Sequence, residues 1–338
     1  MSSHSIDAAG SPSTSERYSR QVTLMGPQAQ EKLAASRVAV IGAGGLGSPA
    51  LLYLAAAGIG HITLIDDDSV ELSNLHRQVI HSSAAAANGE SKAHSARARM
   101  TELNPEVHVE PVVERLTWEN ALRVLEGADL ILDGTDNFDT RHVASHAAAR
   151  LGIPHVWASI LGYQAQLSVF WAGHGPIYED LFPTPPAPGA VPSCSQAGVL
   201  GPLVGIVGSA MALEAIKLIT GMGRPLVGRL AYYDSLTASW EEIPVAANPA
   251  VTEQVRTGTP PHGPVEVTEV PPGARSSTCG SPRNSRNSTC PGRSTCRWPR
   301  FWAATPRRRW KTGRSWSAPA GPVRPTQWMR WRAVASRG

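Results

Sequence analysis

The 338-residue sequence predicts an α/β protein organised around a doubly wound sheet, and two stretches carry that prediction. The first is Val38-Ala-Val-Ile-Gly42-Ala-Gly44-Gly45-Leu-Gly47-Ser. An apolar run that ends in glycines reads as a buried strand turning into a helix. The glycines accept positive φ and let the backbone approach a phosphate, while a helix opening near Leu46 offers free N–H groups to an anion. The second is Ile62-Thr-Leu-Ile-Asp66-Asp-Asp68. A strand that ends in acids about 20 residues after the glycine loop places a carboxylate where a ribose hydroxyl sits in a doubly wound nucleotide-binding unit.

Up to this point a dinucleotide-dependent dehydrogenase fits equally well. The readings separate at Asn74-Leu-His-Arg77-Gln78, at Lys92 after Gly89-Glu-Ser, and at Asp136 in Leu132-Asp-Gly-Thr-Asp136-Asn137. Hydride transfer has no use for an arginine and a lysine converging on phosphates with a carboxylate opposite. Adenylation does: when a carboxylate attacks the α-phosphate of ATP, negative charge grows on the phosphoryl oxygens and on departing pyrophosphate, and fixed cations with magnesium stabilise it. A non-catalytic adaptor that keeps the fold is a further alternative.

These residues resemble the MoeB/ThiF/HesA family of ubiquitin-activating-type adenylyltransferases, which activate the C-terminal glycine of small ubiquitin-like sulfur carriers. The similarity runs from about Arg17 to about Pro244. It implies a Rossmann-like sheet with a further, partly antiparallel region, ATP and Mg2+ as cofactors, and no membrane partner. It also implies that Asp66 holds the ribose, that Asn74, Arg77 and Lys92 hold phosphates, and that Asp136 holds magnesium. Gly42, Gly44, Gly45, Gly47, Asp68, Gln78 and Asn137 complete the expected nucleotide site. Arg17-Tyr-Ser-Arg20-Gln21 looks like the family's N-terminal signature, whose second arginine, here Arg20, reaches the ATP site of a partner subunit; a homodimer with shared sites is expected. The sulfur carrier would serve molybdopterin, thiamine, cysteine or thio-tRNA synthesis, with a rhodanese or a cysteine desulfurase as sulfur donor.

Cys194 lies in Pro183-Thr-Pro-Pro-Ala-Pro-Gly-Ala-Val-Pro-Ser-Cys194 and is the only cysteine before residue 279. Proline and glycine make this a surface loop, where a mobile nucleophile can sit. Some family members use a cysteine here for thioester, disulfide or persulfide chemistry, but adenylation itself needs none, so an inert thiol and a sulfur-transfer thiol both remain open. Other members bind structural zinc through two Cys-x-x-Cys pairs. The corresponding places here read Ile177-Tyr-Glu-Asp180 and Val251-Thr-Glu-Gln254, which supply no thiolate tetrad, so no zinc site is expected. The stretch from Ala197 through Ile219 reads as a helix with an apolar face, and further strands are expected at Ala165–Phe170 and Arg229–Asp234.

Residues 1–15, rich in Ser, Ala and Gly, read as a disordered leader without a secretory pattern. Residues 16–247 form the adenylating domain, 248–273 a linker rich in proline and glycine, and 274–338 a basic tail. No segment has 18 consecutive apolar residues, and an unpaired core cysteine fits a reducing cytoplasm.

The tail holds 15 Lys+Arg and no Asp or Glu, leaving 16 basic against 27 acidic residues before it, so the overall net charge of +4 describes neither part. Six of ten tryptophans and three of four cysteines lie there without helical or strand period. Arginines with interleaved indoles could hold nucleic acid, and Cys279, Cys290 and Cys296 could ligate a metal, although their spacing is irregular. The genetic code favours a third reading, a frameshift. Combining the last base of each codon with the first two of the next turns Trp298-Pro299 into Ala, Trp302-Ala303 into Gly and Trp310-Lys311 into Glu. The same shift over Ser288 to Pro299 can read His-Leu-Pro-Gly-Ala, and over Arg314 to Val323 a cysteine loop, in the order found in rhodanese domains. On that reading the tail carries no designed nucleic-acid or metal site.

Overall fold

The computed structural model of the chain describes residues 14–186 and 198–258. Strands β1 (Arg37–Ile41), β2 (His61–Ile65), β3 (His108–Val112), β4 (Leu130–Asp133) and β5 (His155–Leu161) are parallel. Strands β6 (Gln164–Phe170), β7 (Arg229–Asp234) and β8 (Ser239–Pro244) extend the same sheet antiparallel. The spatial order is β3-β2-β1-β4-β5-β6-β7-β8, so the partly antiparallel region is continuous with the parallel one.

Eleven helices accompany the strands among the described residues: α1 (Thr14–Arg17), α2 (Ser19–Met25), α3 (Pro27–Ala35), α4 (Gly47–Ala57), α5 (Ser83–Ala87), α6 (Lys92–Leu103), α7 (Ala121–Val124), α8 (Phe138–Leu151), α9 (Tyr178–Leu181), α10 (Gly201–Thr220) and α11 (Pro249–Thr257). The apolar run of β1 is buried on both faces because successive side chains enter opposite layers. Val38 and Val40 join Ile62, Leu64, Leu130 and Leu132 in a core closed by α4, α6 and α10. Ala39 and Ile41 join Ile65, Ile131, Val143 and Ala147 in a second core closed by α7 and α8. Each fully buried Val, Leu or Ile contributes about 1.5–3 kcal/mol, so this two-sided burial fixes the central strands firmly.

From β1 the chain winds to β2 and β3 on one side, then crosses to β4 and β5 on the other. The resulting switch point opens a crevice at the carboxyl ends of β1 and β4. Gly42 turns the chain there at φ 93°, a conformation that side chains rarely adopt. A Cβ on Gly47, the first residue of α4, would overlap the Gly42 carbonyl oxygen.

Helix α10 is long and apolar enough to cross a membrane by composition. Its Leu203, Val204, Val207, Met211 and Ala215 are instead buried in the same core as β1. The expected linker at 248–273 is corrected at its start: Asn248 caps α11 by accepting from the Ala250 N–H, and Val255 of that helix is buried against Ala149, Ala172 and Ile177. The apolar spacing of Val251 and Val255, one helical turn apart, outweighs the proline and glycine composition around it. Residues 1–13, residues 187–197 with Cys194 among them, and everything beyond 258 lie outside the described residues.

Candidate active site

The glycine loop is held at Ala43 from two sides. Its N–H donates to Asp66 Oδ2 at 2.7 Å, and its carbonyl accepts from His81 Nε2 at 3.0 Å. His81 Nδ1 therefore accepts from the Ser95 hydroxyl, 3.0 Å away, and burial lowers the His81 pKa, which favours the neutral ring that this pairing uses. The other Asp66 oxygen accepts the Asp68 N–H at 2.9 Å, and burial raises the Asp66 pKa despite these two bonds.

A short backbone pairing delivers the first cation. Val70 donates to the Glu90 carbonyl and Lys92 to the Asp68 carbonyl, which brings the start of α6 against the end of β2. The buried Lys92 ammonium then meets the exposed Asp68 carboxylate at 2.7 Å. A 3-10 turn over Leu72–Asn74 delivers the second: Arg77 Nη2 donates to Asn74 Oδ1 at 2.9 Å. Gln78 beside them is buried, and its Oε1 has no hydrogen-bond partner.

The opposite wall follows β4. Fully buried Asp133 accepts from the Thr135 N–H and hydroxyl at 3.0 and 2.7 Å and from His155 Nε2 at 3.2 Å. Burial works to raise the Asp133 pKa, but His155, Arg141 and Thr135 outweigh it and hold the carboxyl below its ordinary value. Arg141 grips the Thr135 carbonyl from Nε and Nη2. Asn137 caps α8 by accepting the Asp139 and Thr140 N–H groups.

These walls enclose a cleft of about 430 Å³. Eleven of the expected residues line it together: Gly42, Gly44, Gly45, Asp66, Asp68, Asn74, Arg77, Gln78, Lys92, Asp136 and Asn137. Gly47 lies beneath the loop at the start of α4. Arg20 is exposed on α2 and does not line the cleft of its own chain. Its neighbours explain its placement: Tyr18 donates to Glu106 and accepts from Asn104, while Gln21 donates to Gln30 and to the Ala57 carbonyl. The signature thus anchors α2 through Tyr18 and Gln21, leaving Arg20 outward. Sequence reasoning missed His81, Asp133, Thr135 and Arg141. Only Asp133-x-Thr135 carried a local signal, the spacing of an Asx turn.

At the positions that hold zinc-binding pairs in other members, Ile177 and Val251 pack together with Ala149 and Val255. The Asp180 carboxylate accepts the N–H of Ile177 at 2.8 Å and of Asn248 at 3.0 Å. Two aliphatic side chains and an acid already satisfied by backbone form no donor set for zinc.

A doubly wound sheet whose switch-point cleft is lined by the glycine loop together with Arg77, Lys92 and Asp136 defines an α/β protein of Rossmann-like type. The chain belongs to the ThiF family, whose model matches residues 18–253. It is 48% identical over 241 residues to a sulfur carrier protein adenylyltransferase of Thermus thermophilus, covering 69% of this chain and 88% of that one. It is 49% identical over 248 residues to the probable adenylyltransferase/sulfurtransferase MoeZ of Mycobacterium tuberculosis, covering 71% of this chain and 63% of MoeZ. It is 44% identical over 236 residues to the SAMP-activating enzyme E1 of Haloferax volcanii, covering 69% and 86% respectively. The fold is similar to E. coli MccB crystallised with ATP, with a TM-score of 0.61 and 22% identity over 69% of this chain and 72% of that one.

Proposed function

We propose that the cleft binds ATP and adenylates the C-terminal glycine carboxylate of a small ubiquitin-like sulfur-carrier protein, releasing pyrophosphate. The observation that carries this reading is that Arg77, Lys92 and Asp136 line one cleft together with the glycine loop. The names of the relatives support it: one is a sulfur carrier protein adenylyltransferase and another a probable adenylyltransferase/sulfurtransferase. Arg77 and Lys92 stabilise the charge that builds on the phosphates as the carrier carboxylate attacks, and the N–H groups at the start of α4 face the same anion. Asp66, already fixed by Ala43 and Asp68, orients the ribose. Gln78 Oε1, buried and unpartnered, is an acceptor available to a bound nucleotide.

Asp136 would hold Mg2+. Magnesium at nucleotide sites is commonly held by one or two carboxylates together with substrate phosphates, and Asp136 lines the cleft where those phosphates would lie. When bound, the ion neutralises phosphate charge.

The enzyme works as a homodimer in which Arg20 completes the partner's site, in a reducing cytoplasm, with a rhodanese or cysteine desulfurase supplying sulfur afterwards. Cys194 acts, if at all, after adenylation, so Cys194→Ala spares pyrophosphate release. The tail is a frameshifted rhodanese; the sulfurtransferase names of MoeZ and of the MOCS3 proteins, of which the match spans 63% and about half, support this. An intact mass of the native protein near 35.9 kDa would overturn the frameshift, and a longer, more acidic product would sustain it. The activity is tested by ATP–pyrophosphate exchange with a carrier ending in Gly-Gly: wild type exchanges only with carrier, and Arg77→Ala and Asp136→Ala are inactive yet folded. Carrier-independent NADH turnover in place of exchange would overturn the reading.

A further inference from the structure

We infer that Asp133, which does not line the cleft, is a positioning residue that acts through Thr135 to fix the peptide carrying Asp136. The inference rests on the adenylation reading above and names how that site is set. Thr135 is held at every polar group it has. Its N–H and its hydroxyl both donate to one Asp133 oxygen, and its carbonyl accepts two N–H groups from Arg141. The Thr135 carbonyl belongs to the peptide bond leading directly into Asp136, so a carboxylate and a guanidinium together set the plane from which the cleft carboxylate projects.

Both clamps are themselves immobilised. Asp133 ends a four-residue strand buried throughout, and its second oxygen accepts from buried His155. The Arg141 guanidinium lies over the rings of Phe138 and Trp157, at 5.1 and 5.6 Å from their centroids. The Thr135 methyl stands where it would touch a Cβ at Gly42, so the same residue also borders the glycine loop. A charged group taken out of water is costly unless it is fully paired, and an apolar strand end would serve folding equally well. What the carboxylate adds is a fixed pair of acceptors: one oxygen takes both donors of Thr135 while the other takes His155 Nε2.

The test uses Thr135→Val, which removes one hydroxyl and keeps the branched shape, with Asp133→Asn alongside and Thr135→Ser as the conservative rescue. Thermal shift is measured with ATP alone and with ATP plus Mg2+, and carrier-dependent ATP–pyrophosphate exchange is measured on the same samples. In Thr135→Val the shift with ATP alone matches wild type, the further increment from Mg2+ is lost, and exchange falls roughly tenfold or more at saturating ATP, because displacement of a positioned group costs up to about 100-fold. Thr135→Ser restores both. A folded Thr135→Val with the full Mg2+ increment and wild-type exchange overturns the inference, and it does so even if Asp133→Asn fails to fold. Wild-type protein that shows a Mg2+ increment but no carrier-dependent exchange would instead sink the adenylation reading, leaving the increment in the variants to judge Asp133.

Discussion

The Lys92 ammonium is buried against the cleft wall and lies 2.7 Å from the Asp68 carboxylate, which is itself largely exposed. The lysine is therefore neutralised on one side by an acid free to move into water. An arriving phosphate meets a cation whose position is set by α6 and whose counter-ion can yield.

Lys92→Ala is expected to lower carrier-dependent exchange by about 100-fold or more, the scale of losing one fixed donor at developing charge. Its melting temperature should change little, because the lost ion pair has one exposed partner. Asp68→Asn should act more mildly, since it leaves the cation in place. Exchange kinetics and thermal melts on both variants check this, and a Lys92→Ala protein with wild-type kcat would remove Lys92 from the mechanism.

Arg20 is exposed on α2 while its flanking residues are anchored, which suits a side chain that acts outside its own chain. Arg20→Ala and Arg77→Ala should each be inactive alone. Co-refolded heterodimers should recover part of the wild-type rate, because one of their two shared sites is intact. No recovery in proven heterodimers would exclude sharing.

Burial lowers the His81 pKa below its ordinary 6.5, so the folded protein binds fewer protons there than the unfolded chain. The contribution to stability is complete above 6.5 and is lost as the pH falls through that value toward the depressed folded pKa. Half-buried His146 is shifted the same way, with Glu179 beside it opposing the shift. Urea midpoints should drop between pH 7.5 and 5.5, and His81→Gln, which can still donate to Ala43 and accept from Ser95, should flatten the dependence in part. Equal slopes in both proteins would separate His81 from the effect. The charge of Lys92 also faces His81 and lowers its pKa further.

Asp180 joins the segment before α9 to the one before α11 through the N–H groups of Ile177 and Asn248. Asp180→Ala should lose about 1–2 kcal/mol, the scale of depriving such donors of an acceptor, and a strong metal chelator should leave the wild-type melting temperature unchanged. A large chelator-induced drop would mean that a metal, not this acid, holds the two segments.

The apolar run Val38, Ala39, Val40 and Ile41, the glycines after it and the acids after Ile65 are local patterns, and they were sufficient for a doubly wound fold. Arg77, Lys92 and Asp136, which the structure places in the lining of one cleft, each stand in a short motif whose residue types match phosphate chemistry. Strand limits at Arg229–Asp234 followed from composition alone. The start of the expected linker was misread because proline and glycine counts conceal a two-valine contact that exists only once α11 meets α8. His81, Arg141 and Asp133 were illegible for the same reason. A histidine that grips a loop 38 residues earlier, or a carboxylate that steers a neighbour through a threonine, has no signature until burial removes water as the competing partner. The sequence by itself determined the class of fold and the charged inventory of the site, because local backbone preference and apolar periodicity act over a few residues. The tertiary structure alone decided which groups are held, by what and in which ionisation state, because those depend on desolvation and on partners far away in the chain.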